Sequence, residues 1–329
     1  MTTAKYDVTG IGNAIVDVLA RSTDEFLASH QMTKGGMALI DAAKADQLYS
    51  ELTSAIEQSG GSVANTMAGI ASLGGRGAYI GKVRNDALGE AFASDMRLGG
   101  THFETAPLKQ GAGTARCIIL VTPDAQRTMN TFLGASVELT PADIDPVVIQ
   151  QSQVTYLEGY LFDPPHAKQA FIRAAELAHA AGREVALSLS DSFCVARHRA
   201  EFLDLVHQHI DILFANEHEI TSLYECDSFD QAMQQVRGRC KVAALTRSAA
   251  GSVIVSGEQA VEVGAAPVRQ VLDTTGAGDL YAAGFLYAYT RGRPLAHCGR
   301  LGAIAAAEVI SHFGARPETD LKELAREWL

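Results

Sequence analysis

Residues 267–292 contain a segment whose composition suits the binding of a phosphate group. An apolar run leads into Asp273-Thr274-Thr275-Gly276-Ala277-Gly278-Asp279, and a helical pattern begins directly after it. Small residues at 276–278 let the main chain approach a ligand, and the free N–H groups of a first helical turn bind anions. Asp279 is placed to accept a proton from a hydroxyl that attacks a phosphoryl group held there. The spacing therefore predicts a phosphoryl-transfer site.

The same residues have a simpler interpretation, in which Asp279 only complements the helix dipole and the glycines only form a turn. Residues 273–285, however, resemble the C-terminal signature of the PfkB, or ribokinase-like, family of carbohydrate and nucleoside kinases. The resemblance implies that Asp279 is the catalytic base and that Gly276, Ala277 and Gly278 form the anion hole. It also implies a ribokinase-like α/β fold, a three-layer α/β/α sandwich with a mostly parallel central sheet and a small β-sheet lid.

The N-terminal segment IGNAIVD, residues 11–17, resembles the opening strand of the family. The resemblance implies that Asn13 and Asp17 bind the sugar hydroxyls of the substrate. An amide and a carboxylate suit this role because a sugar diol offers paired donors and acceptors. The alternative is that both residues merely end a strand in a turn.

The motif SGGSVANT is similar to a second N-terminal motif of the family. The resemblance implies that Gly60 and Gly61 let the main chain approach the substrate and that Asn65 contacts it. Val63 and Met67 stand where the family has small residues. A glycine turn that opens a helix is the alternative interpretation.

Two further segments resemble the nucleotide-binding part of the family. NEHE follows an apolar run, and the resemblance implies that Asn216 and Glu219 organise Mg²⁺ and phosphate through water. Hard oxygen ligands suit Mg²⁺, which keeps much of its hydration shell. Thr246, Arg247 and Gly251 resemble the loop that borders ATP. The alternatives are a helix cap for the first segment and a β-turn for the second.

Four segments are similar to the adenosine-kinase-like members of the family: KGGMALID, RTMNTFLGAS, YLEGYLFD and AAEVISHFGARP. By this resemblance Arg127 moves from the lid toward the transferred phosphate. It further implies that Gly35, Gly36 and Glu158 lie against the substrate. The alternative for Arg127 and Glu158 is an ordinary surface residue or a residue at the base of the lid.

From about residue 150 onward, short apolar runs alternate with segments of helical period, which predicts βα units around a mostly parallel sheet. Strands are expected at 154–161, 184–191, 209–216 and 241–247, with helices after 165, near 198–208 and near 228–238. In the first third, YDVTGIGN and GAYIGKV predict strands, and GSVANTMAGIASLG and DALGEAFASDMRLG predict helices.

Two insertions, about 17–41 and 104–135, do not follow the βα pattern. The second contains GTARCIILV and RTMNTFLGA on either side of TPDAQ, which predicts a hairpin. We expect both insertions to form a small β sheet, the lid, on one kinase domain that spans residues 1–329. The absence of a long Pro/Gly/Ser linker supports one domain.

The composition argues against several classes of protein. A net charge of −11 gives no basic surface for nucleic acid or an anionic membrane. The chain contains no P-loop and no protein-kinase motif, and no GxGxxG follows the first strand. Five cysteines without a CxxC pair, and the lack of an export signal or an apolar span, are typical of a cytoplasmic protein.

The expected reaction is transfer of the γ-phosphoryl group of ATP, with Mg²⁺, to a primary hydroxyl of a nucleoside, with adenosine converted to AMP. The alternatives are a sugar kinase of the ribokinase or fructokinase type and a non-catalytic sensor of a nucleoside or sugar. A base would need an apolar slot, for which Phe103, Phe132 and Phe162 are candidates; the alternative for each is a place in the core. Asp273 and Thr275 match family positions beside a monovalent cation, which implies potassium. We expect a monomer or homodimer that acts on a small molecule.

Overall fold

The computed structural model describes residues 4–124 and 126–328. This part of the chain forms the strands β1 (Tyr6–Ile11), β2 (Ile15–Arg21), β3 (Met37–Leu39), β4 (Ile56–Gly60), β5 (Gly77–Ile80), β6 (Thr101–Phe103), β7 (Ala115–Val121), β8 (Arg127–Phe132), β9 (Ser152–Glu158), β10 (Glu184–Ser188), β11 (Ile212–Asn216), β12 (Val242–Thr246), β13 (Ser252–Ser256) and β14 (Gln259–Val263). Its helices are α1 (Asp24–Ser29), α2 (Ala42–Glu51), α3 (Ser62–Ser72), α4 (Ala87–Leu98), α5 (Pro146–Gln150), α6 (Pro165–Ala180), α7 (Ser192–Arg197), α8 (Arg199–His209), α9 (Glu217–Tyr224), α10 (Phe229–Val236), α11 (Ala277–Tyr289), α12 (Leu295–Val309) and α13 (Leu321–Leu324).

The larger sheet has the strand order β14-β13-β12-β11-β10-β9-β1-β5-β6. The strands from β12 to β6 are parallel, and β13 and β14 add an antiparallel hairpin at one edge. Helices cover both faces: Ile212 and Phe214 of β11 pack in the core with α3, α11 and α12, whereas Leu213 and Ala215 pack in the core with α6, α8, α9 and α10. The predicted three-layer α/β/α fold with a mostly parallel sheet is confirmed.

The predicted βα units of the second half are present, with shifted ends. The strand expected at 154–161 ends at Glu158, because Gly159–Phe162 forms a 3-10 turn. A Cβ atom at Gly159 would lie 2.5 Å from the carbonyl oxygen of Leu189, so only glycine fits at this turn. The edge hairpin of β13 and β14 was missed by the sequence analysis.

Glycines let α11 pack closely on both of its helical neighbours. A Cβ atom at Gly69 of α3 would lie 2.7 Å from Cβ of Ala283 in α11. A Cβ atom at Gly284 of α11 would lie 2.5 Å from the carbonyl oxygen of Leu301 in α12. Because such distances exclude any larger residue, these contacts fix the position of α11, whose first turn carries the predicted site.

The smaller sheet has the order β3-β8-β7-β2-β4. The predicted hairpin is present as antiparallel β7 and β8, and Ala125 in its turn lies outside the described residues. Four of the strands come from the two predicted insertions, but β4 comes from outside them. Segment 11–17 is also divided between two strands, since the chain leaves β1 and enters β2 after residues 12–14. The chain therefore passes directly from the large sheet into the small sheet.

Three further features concern the part of the chain that the structure describes. It has no helix that is both long and apolar enough to cross a membrane. The five cysteines carry free thiols, three of them buried. Within residues 4–124 and 126–328, no group of three or more His, Cys, Asp or Glu side chains is arranged to hold a metal ion.

Candidate active site

The predicted site residues lie at the carboxyl ends of the parallel strands, where sheets of this type bind ligands. Asn13 follows the end of β1, and Glu158, Asn216 and Thr246 are the last residues of β9, β11 and β12. Helices α3 and α11 begin at the same edge, because side chains in the first turn of α3 contact Asp279 in the first turn of α11. The fold thus gathers segments that are far apart in the sequence.

The carboxylate of Asp279 is held by α3. Ser62 Oγ donates to Asp279 Oδ1 at 2.6 Å, and Asn65 Nδ2 donates to Oδ2 at 3.0 Å. Thr66 Oγ1 donates to the main-chain oxygen of Asp279 at 3.1 Å. Burial raises the pKa of Asp279, while the two side-chain hydrogen bonds act in the opposite direction by stabilising the carboxylate. Asp279 is therefore fixed in position and is a stronger proton acceptor than an exposed aspartate.

The turn at 276–278 has the geometry of an anion site. Gly276 has φ of 79°, and a Cβ atom there would lie 2.8 Å from Cα of Ala315. Ala277 N donates to Thr274 O, whereas the amide of Gly278 has no acceptor in the described chain. Apart from the neighbouring residues and backbone of its own helix, no described atom lies within 4 Å of a Cβ position at Gly278, so the space beside it is open. A free amide at the positive end of a helix dipole attracts a phosphate oxygen.

Asn13 and Glu158 bind each other. Asn13 Nδ2 donates to Glu158 Oε1 at 2.8 Å, and Val63 N donates to Oε2 at 3.1 Å. Ser136 Oγ donates to Asn13 Oδ1 at 2.9 Å. Burial raises the pKa of Glu158 to about 7, although these hydrogen bonds favour its charged form. Both side chains are buried and already partnered, so they join β1, β9 and α3 beneath the site. This arrangement lies closer to the alternative for Glu158, a residue at the base of the lid.

Asp17 lies on β2 of the small sheet, with its carboxylate beside Gly60 of β4. A Cβ atom at Gly60 would lie 2.3 Å from Asp17 Oδ2, so only glycine fits there. Gly61 has φ of 95°, and a Cβ atom there would lie 2.3 Å from the carbonyl oxygen of Asn13. Gly60 and Gly61 therefore allow the chain before α3 to pack closely against the segment that contains Asn13 and Asp17.

The carboxylate of Asp17 accepts no hydrogen bond from the described residues. Burial raises its pKa to about 7, and the negative charge of Asp279 acts in the same direction. The positive charges of Arg316 and Arg127 oppose this effect. Asp17 is thus an unpartnered acid within electrostatic reach of Asp279, as a residue that binds a substrate hydroxyl requires.

Arg127 and Asp273 form an ion pair, with Nη1 and Oδ2 separated by 2.6 Å. Asp273 Oδ1 accepts hydrogen bonds from the amide and the hydroxyl of Thr275, and Oδ2 also accepts one from Gly314 N at 3.0 Å. The guanidinium of Arg127 lies over the ring of Phe313, 5.4 Å from its centroid. The structure therefore joins the predicted phosphate-binding arginine to the predicted cation-site residues.

Gly35 and Gly36 run beside the start of β8. Gly35 has φ of 75°, and its amide donates to Thr128 Oγ1 at 3.1 Å. The carbonyl oxygen of Gly36 accepts a hydrogen bond from Met129 N at 2.9 Å. The two glycines thus flank the strand that begins with Arg127.

Asn216 and Glu219 form a reciprocal cap at the start of α9. Asn216 Oδ1 accepts from Glu219 N at 2.9 Å, and Glu219 accepts from Asn216 N and Nδ2 at 2.8 and 2.7 Å. Burial raises the pKa of Glu219 to about 7, and the nearby charges of Asp191 and Asp279 add to this effect. The helix cap considered for this segment is thus present in the structure. Glu219 also lies within electrostatic reach of Asp279.

The second predicted nucleotide-binding segment forms a tight loop between β12 and β13. Thr246 ends β12, and Arg247 N donates to Gly251 O at 2.7 Å, with Gly251 at φ of 86°. The guanidinium of Arg247 lies over Phe229, 4.4 Å from the ring centroid, and 3.7 Å from Glu217. These contacts place the loop beside α9 and α10, at the same sheet edge as Asn216.

The model of the pfkB family of carbohydrate kinases matches residues 36–321. The chain belongs to this family. The PfkB kinase is therefore a phosphotransferase that uses ATP and an alcohol group as acceptor. The matched range includes the segments that carry Glu158, Asn216, Asp273 and Asp279.

Relatives of the kinase include proteins described by different substrates. A crystal structure of adenosine kinase from Sinorhizobium meliloti is 55% identical, with 98% of this chain and 99% of that chain covered at a TM-score of 0.90. A probable sugar kinase from Rhizobium etli CFN 42 is 50% identical, with 99% of each chain covered at a TM-score of 0.91. Adenosine kinase from Saccharomyces cerevisiae is 25% identical over 328 residues, 92% of this chain and 94% of the yeast protein.

Three residues in or beside the candidate site were missed by the sequence analysis. Ser62 binds the carboxylate of Asp279, Ser136 binds Asn13, and Arg316 lies 3.1 Å from Asp95 Oδ2. Ser62 stands inside the quoted motif SGGSVANT, and its position at the first residue of a helix was a usable signal. Ser136 and Arg316 also stand inside quoted segments, RTMNTFLGAS and AAEVISHFGARP, but their partners lie far away in the sequence and are not indicated by any local pattern.

Proposed function

We propose that this kinase phosphorylates the primary ribosyl hydroxyl of a nucleoside, with adenosine converted to AMP as ATP becomes ADP. The observation that carries the proposal is the pattern of side chains on one face of the small sheet, the face that holds Asp17. The adenosine kinase from Sinorhizobium meliloti, at 55% identity, supports the same choice. The probable sugar kinase from Rhizobium etli, at 50%, keeps a sugar acceptor as the second candidate.

Side chains at alternate positions of a strand share a face, and residues in register on neighbouring strands form rows across the sheet. One row crosses the small sheet through Asp17 and contains Gln58, Asp17, Cys117, Thr131 and Leu39. The next row on the same face contains Ile56, Leu19, Ile119, Met129 and Met37. We call the second set the apolar row. The sheet thus offers a mixed polar row and then a wholly apolar one.

The direction of β2 gives the two rows their order. The strand begins at Ile15, close to Asn13 and the large sheet, and it passes Asp17 before it reaches Leu19. Two residues along a strand span about 7 Å. A ribose whose hydroxyls bind Asp17 would therefore place its base against the apolar row and its primary hydroxyl toward Asp279. This geometry fits a nucleoside.

A free sugar would leave the apolar row uncovered. Met37 and Ile56, at the two ends of the row, are 59% and 69% exposed. A flat base would cover part of this surface and remove it from water, which is favourable. The three phenylalanines considered as a slot do not form it: Phe103 and Phe162 are buried in aromatic clusters, and Phe132 lies on the opposite face, in register with Arg116.

The proposed reaction needs a base, an anion site and a charge to balance the transferred group. The acceptor oxygen attacks the γ-phosphorus, the bond from this phosphorus to the β,γ-bridging oxygen breaks, and ADP leaves. Asp279 accepts the hydroxyl proton, with its carboxylate oriented by Ser62 and Asn65. The free amide of Gly278 stabilises charge on the transferred group. Arg127 adds a positive charge when it leaves Asp273 and pairs with the phosphate.

Asn65 adds a binding contact to this arrangement. Its Nδ2 atom donates to Asp279, whereas its Oδ1 atom is buried and accepts no hydrogen bond from the described residues. A buried oxygen without a donor is unfavourable, so a substrate hydroxyl that donates to it would be stabilised there. This contact supports Asn65 as an acceptor-binding residue beside the base.

The residues at the site fit a Mg²⁺ ion that is bound mainly by the phosphates of the nucleotide. Glu219, with Asn216 beside it, would hold the ion through water, since Mg²⁺ keeps several water ligands and prefers oxygen. When bound, the ion neutralises charge on the phosphates. Potassium fits less well in this arrangement, because Arg127 already occupies Asp273 Oδ2. No step is assigned to potassium.

The proposal is tested by ATP-coupled turnover with adenosine, other nucleosides, ribose and fructose, with each product identified by mass. Asp279→Ala is the control, and it should lose turnover but keep ATP binding. AMP from adenosine that disappears in the control supports the proposal. A phosphorylated sugar without AMP would overturn the nucleoside assignment and favour the sugar kinase. Nucleoside binding without consumption of ATP would favour a sensor.

A further inference from the structure

Four consecutive residues of the C-terminal loop, 313–316, lie across the site, and we call them the strap. Phe313 lies under the guanidinium of Arg127, and Gly314 N donates to Asp273 Oδ2 at 3.0 Å. Ala315 packs so closely on Gly276 that a Cβ atom there would lie 2.8 Å from Ala315 Cα. The first three residues of the strap thus contact the small sheet, the loop before α11 and the anion site.

The fourth residue of the strap, Arg316, reaches the other edge of the small sheet. Its Nη1 atom lies 3.1 Å from Asp95 Oδ2 of α4, and its Nη2 atom donates to Ser59 Oγ of β4. Ser59 N also donates to Asp95 Oδ2 at 2.9 Å. Ser59 directly precedes Gly60, against which the Asp17 carboxylate packs. Arg316 therefore connects the anion site to the immediate neighbour of Asp17.

Both ends of the strap are anchored by one carboxylate. Glu308 Oε1 accepts hydrogen bonds from Glu318 N at 3.0 Å and Thr319 N at 2.7 Å, after the strap. Glu308 Oε2 lies 3.2 Å from His312 Nε2, directly before the strap. Glu308 itself is buried in α12. The strap is therefore held on a rigid helix, and Arg316 is a fixed support rather than part of a free loop.

We propose that Arg316 is a positioning residue of the acceptor site. Arg316 fixes the position of the Asp17 carboxylate relative to Asp279 and keeps this carboxylate ionised. The inference rests on the proposed role of Asp17 in acceptor binding. Arg316 acts through Ser59 and Gly60 on the position of Asp17, and through its positive charge on the ionisation of Asp17. It does not touch the reacting atoms.

Among the described residues, four charged or titratable groups lie within electrostatic reach of Asp17. They are Arg316 of the strap, Arg127 of β8, Asp279 of α11 and the thiol of Cys117 on β7. The two arginines lower the pKa of Asp17, and Asp279 raises it. Removal of the Arg316 charge therefore raises the pKa of Asp17. The carboxylate would then take up a proton at a higher pH and lose its ability to accept two hydroxyl donors.

The test compares steady-state kinetics of the full chain and its Arg316→Met variant, with the acceptor that the wild type phosphorylates. In Arg316→Met, we expect kcat/KM for the acceptor to fall at least about tenfold, the scale of a lost charged contact. The KM for ATP stays within about twofold because the strap residues at the anion site remain. The acid limb of the acceptor kcat/KM profile moves to higher pH. In Arg316→Lys, which keeps the charge, the limb returns toward the wild-type position.

Arg76→Gln is the matched control, since Arg76 also binds a carboxylate, that of Asp7, but near the amino end of β1 in the large sheet, away from the site. This control should keep the wild-type kcat/KM for the acceptor. Equal losses with ATP and acceptor in Arg316→Met, or an unmoved acid limb, would overturn the inference. If Arg316→Met does not fold, the Asp95→Asn variant is measured instead. A higher KM for the acceptor with an unchanged KM for ATP supports the inference. Unchanged KM values for both substrates contradict it.

Failure of this inference is distinguishable from failure of the proposed function. The proposed function is decided by which acceptor the wild type phosphorylates. The role of Arg316 is decided by the difference between the wild type and its variants with that acceptor. A wild type that phosphorylates ribose would overturn the nucleoside proposal, while the same variants would still support or overturn the role of Arg316.

Discussion

Arg127 and Asp273 form a nearly buried ion pair between the small sheet and the loop before α11, with side chains 10% and 9% exposed. The Nε atom of Arg127 is buried and has no hydrogen-bond partner. A buried donor without a partner is unfavourable, so the guanidinium is only partly satisfied by Asp273. The pair therefore holds the arginine beside the loop before α11 and leaves its buried Nε donor unsatisfied.

We expect Arg127→Gln to lower kcat by about a hundredfold. This is the usual effect of removing one hydrogen-bond donor that stabilises charge in a transition state. The KM for ATP should change much less, because the amides of the anion site remain. Steady-state kinetics with ATP and the acceptor provide the measurement. Arg116→Gln is the control, since Arg116 lies on the neighbouring strand and pairs with Asp46. Equal kcat values for the two variants would remove Arg127 from the reaction.

The acid limb of the kcat profile should report the ionisation of Asp279. Ser62 donates to the Asp279 carboxylate and lowers its pKa against the effect of burial. Ser62→Ala removes this donor, so the pKa of Asp279 rises and the acid limb of kcat moves to higher pH. Thr66→Val is the control, because Thr66 donates to the main-chain oxygen and not to the carboxylate. An acid limb that moves equally in both variants would contradict the assignment.

The apolar row should discriminate between acceptors. Leu19→Ala removes apolar contact from the proposed base site, so we expect the KM for adenosine to rise about tenfold, while turnover of ribose stays unchanged. The neighbouring Val18 points to the opposite face and is fully buried. Val18→Ala should lower the free energy of unfolding by about 1–3 kcal/mol without changing the KM for adenosine. An equal loss of adenosine and ribose turnover in Leu19→Ala would argue against a base at this row.

The sequence was sufficient where the chemistry lies within one short segment. The turn at 276–278 and Asp279 are contiguous, and small residues before a helix have a direct physical meaning for an anion. The βα units of the second half follow from hydrophobic period alone. Their ends shifted by a few residues, because contacts such as that of Gly159 with Leu189 depend on the packed structure.

The relationships that the sequence could not predict join segments distant along the chain. The row that contains Asp17 and Cys117 depends on strand register, which no local pattern specifies. Asn13 and Glu158 were expected to face the substrate, yet they bind each other across 145 residues. Arg316 reaches Asp95 across 221 residues. Such contacts depend on the order of strands and helices in space.

The two glycines of the proposed anion site should respond differently to substitution. Gly276 has φ of 79° and is in close contact with Ala315, so Gly276→Ala strains the turn and should lower the free energy of unfolding by about 1–3 kcal/mol. Apart from the neighbouring residues and backbone of its own helix, Gly278 has no atom within 4 Å of its Cβ position, so Gly278→Val should fold with nearly unchanged stability.

The valine of Gly278→Val would instead fill the open space beside the free amide, where the proposal places a phosphate oxygen. We expect kcat to fall at least about a hundredfold, as for the loss of one donor to the transferred group. Urea unfolding and turnover, measured on both variants, separate the two effects. Because a Cβ atom at Gly278 has room in the fold, an inactive and stable protein supports a ligand in this space. Full activity in Gly278→Val would show that the anion is bound elsewhere.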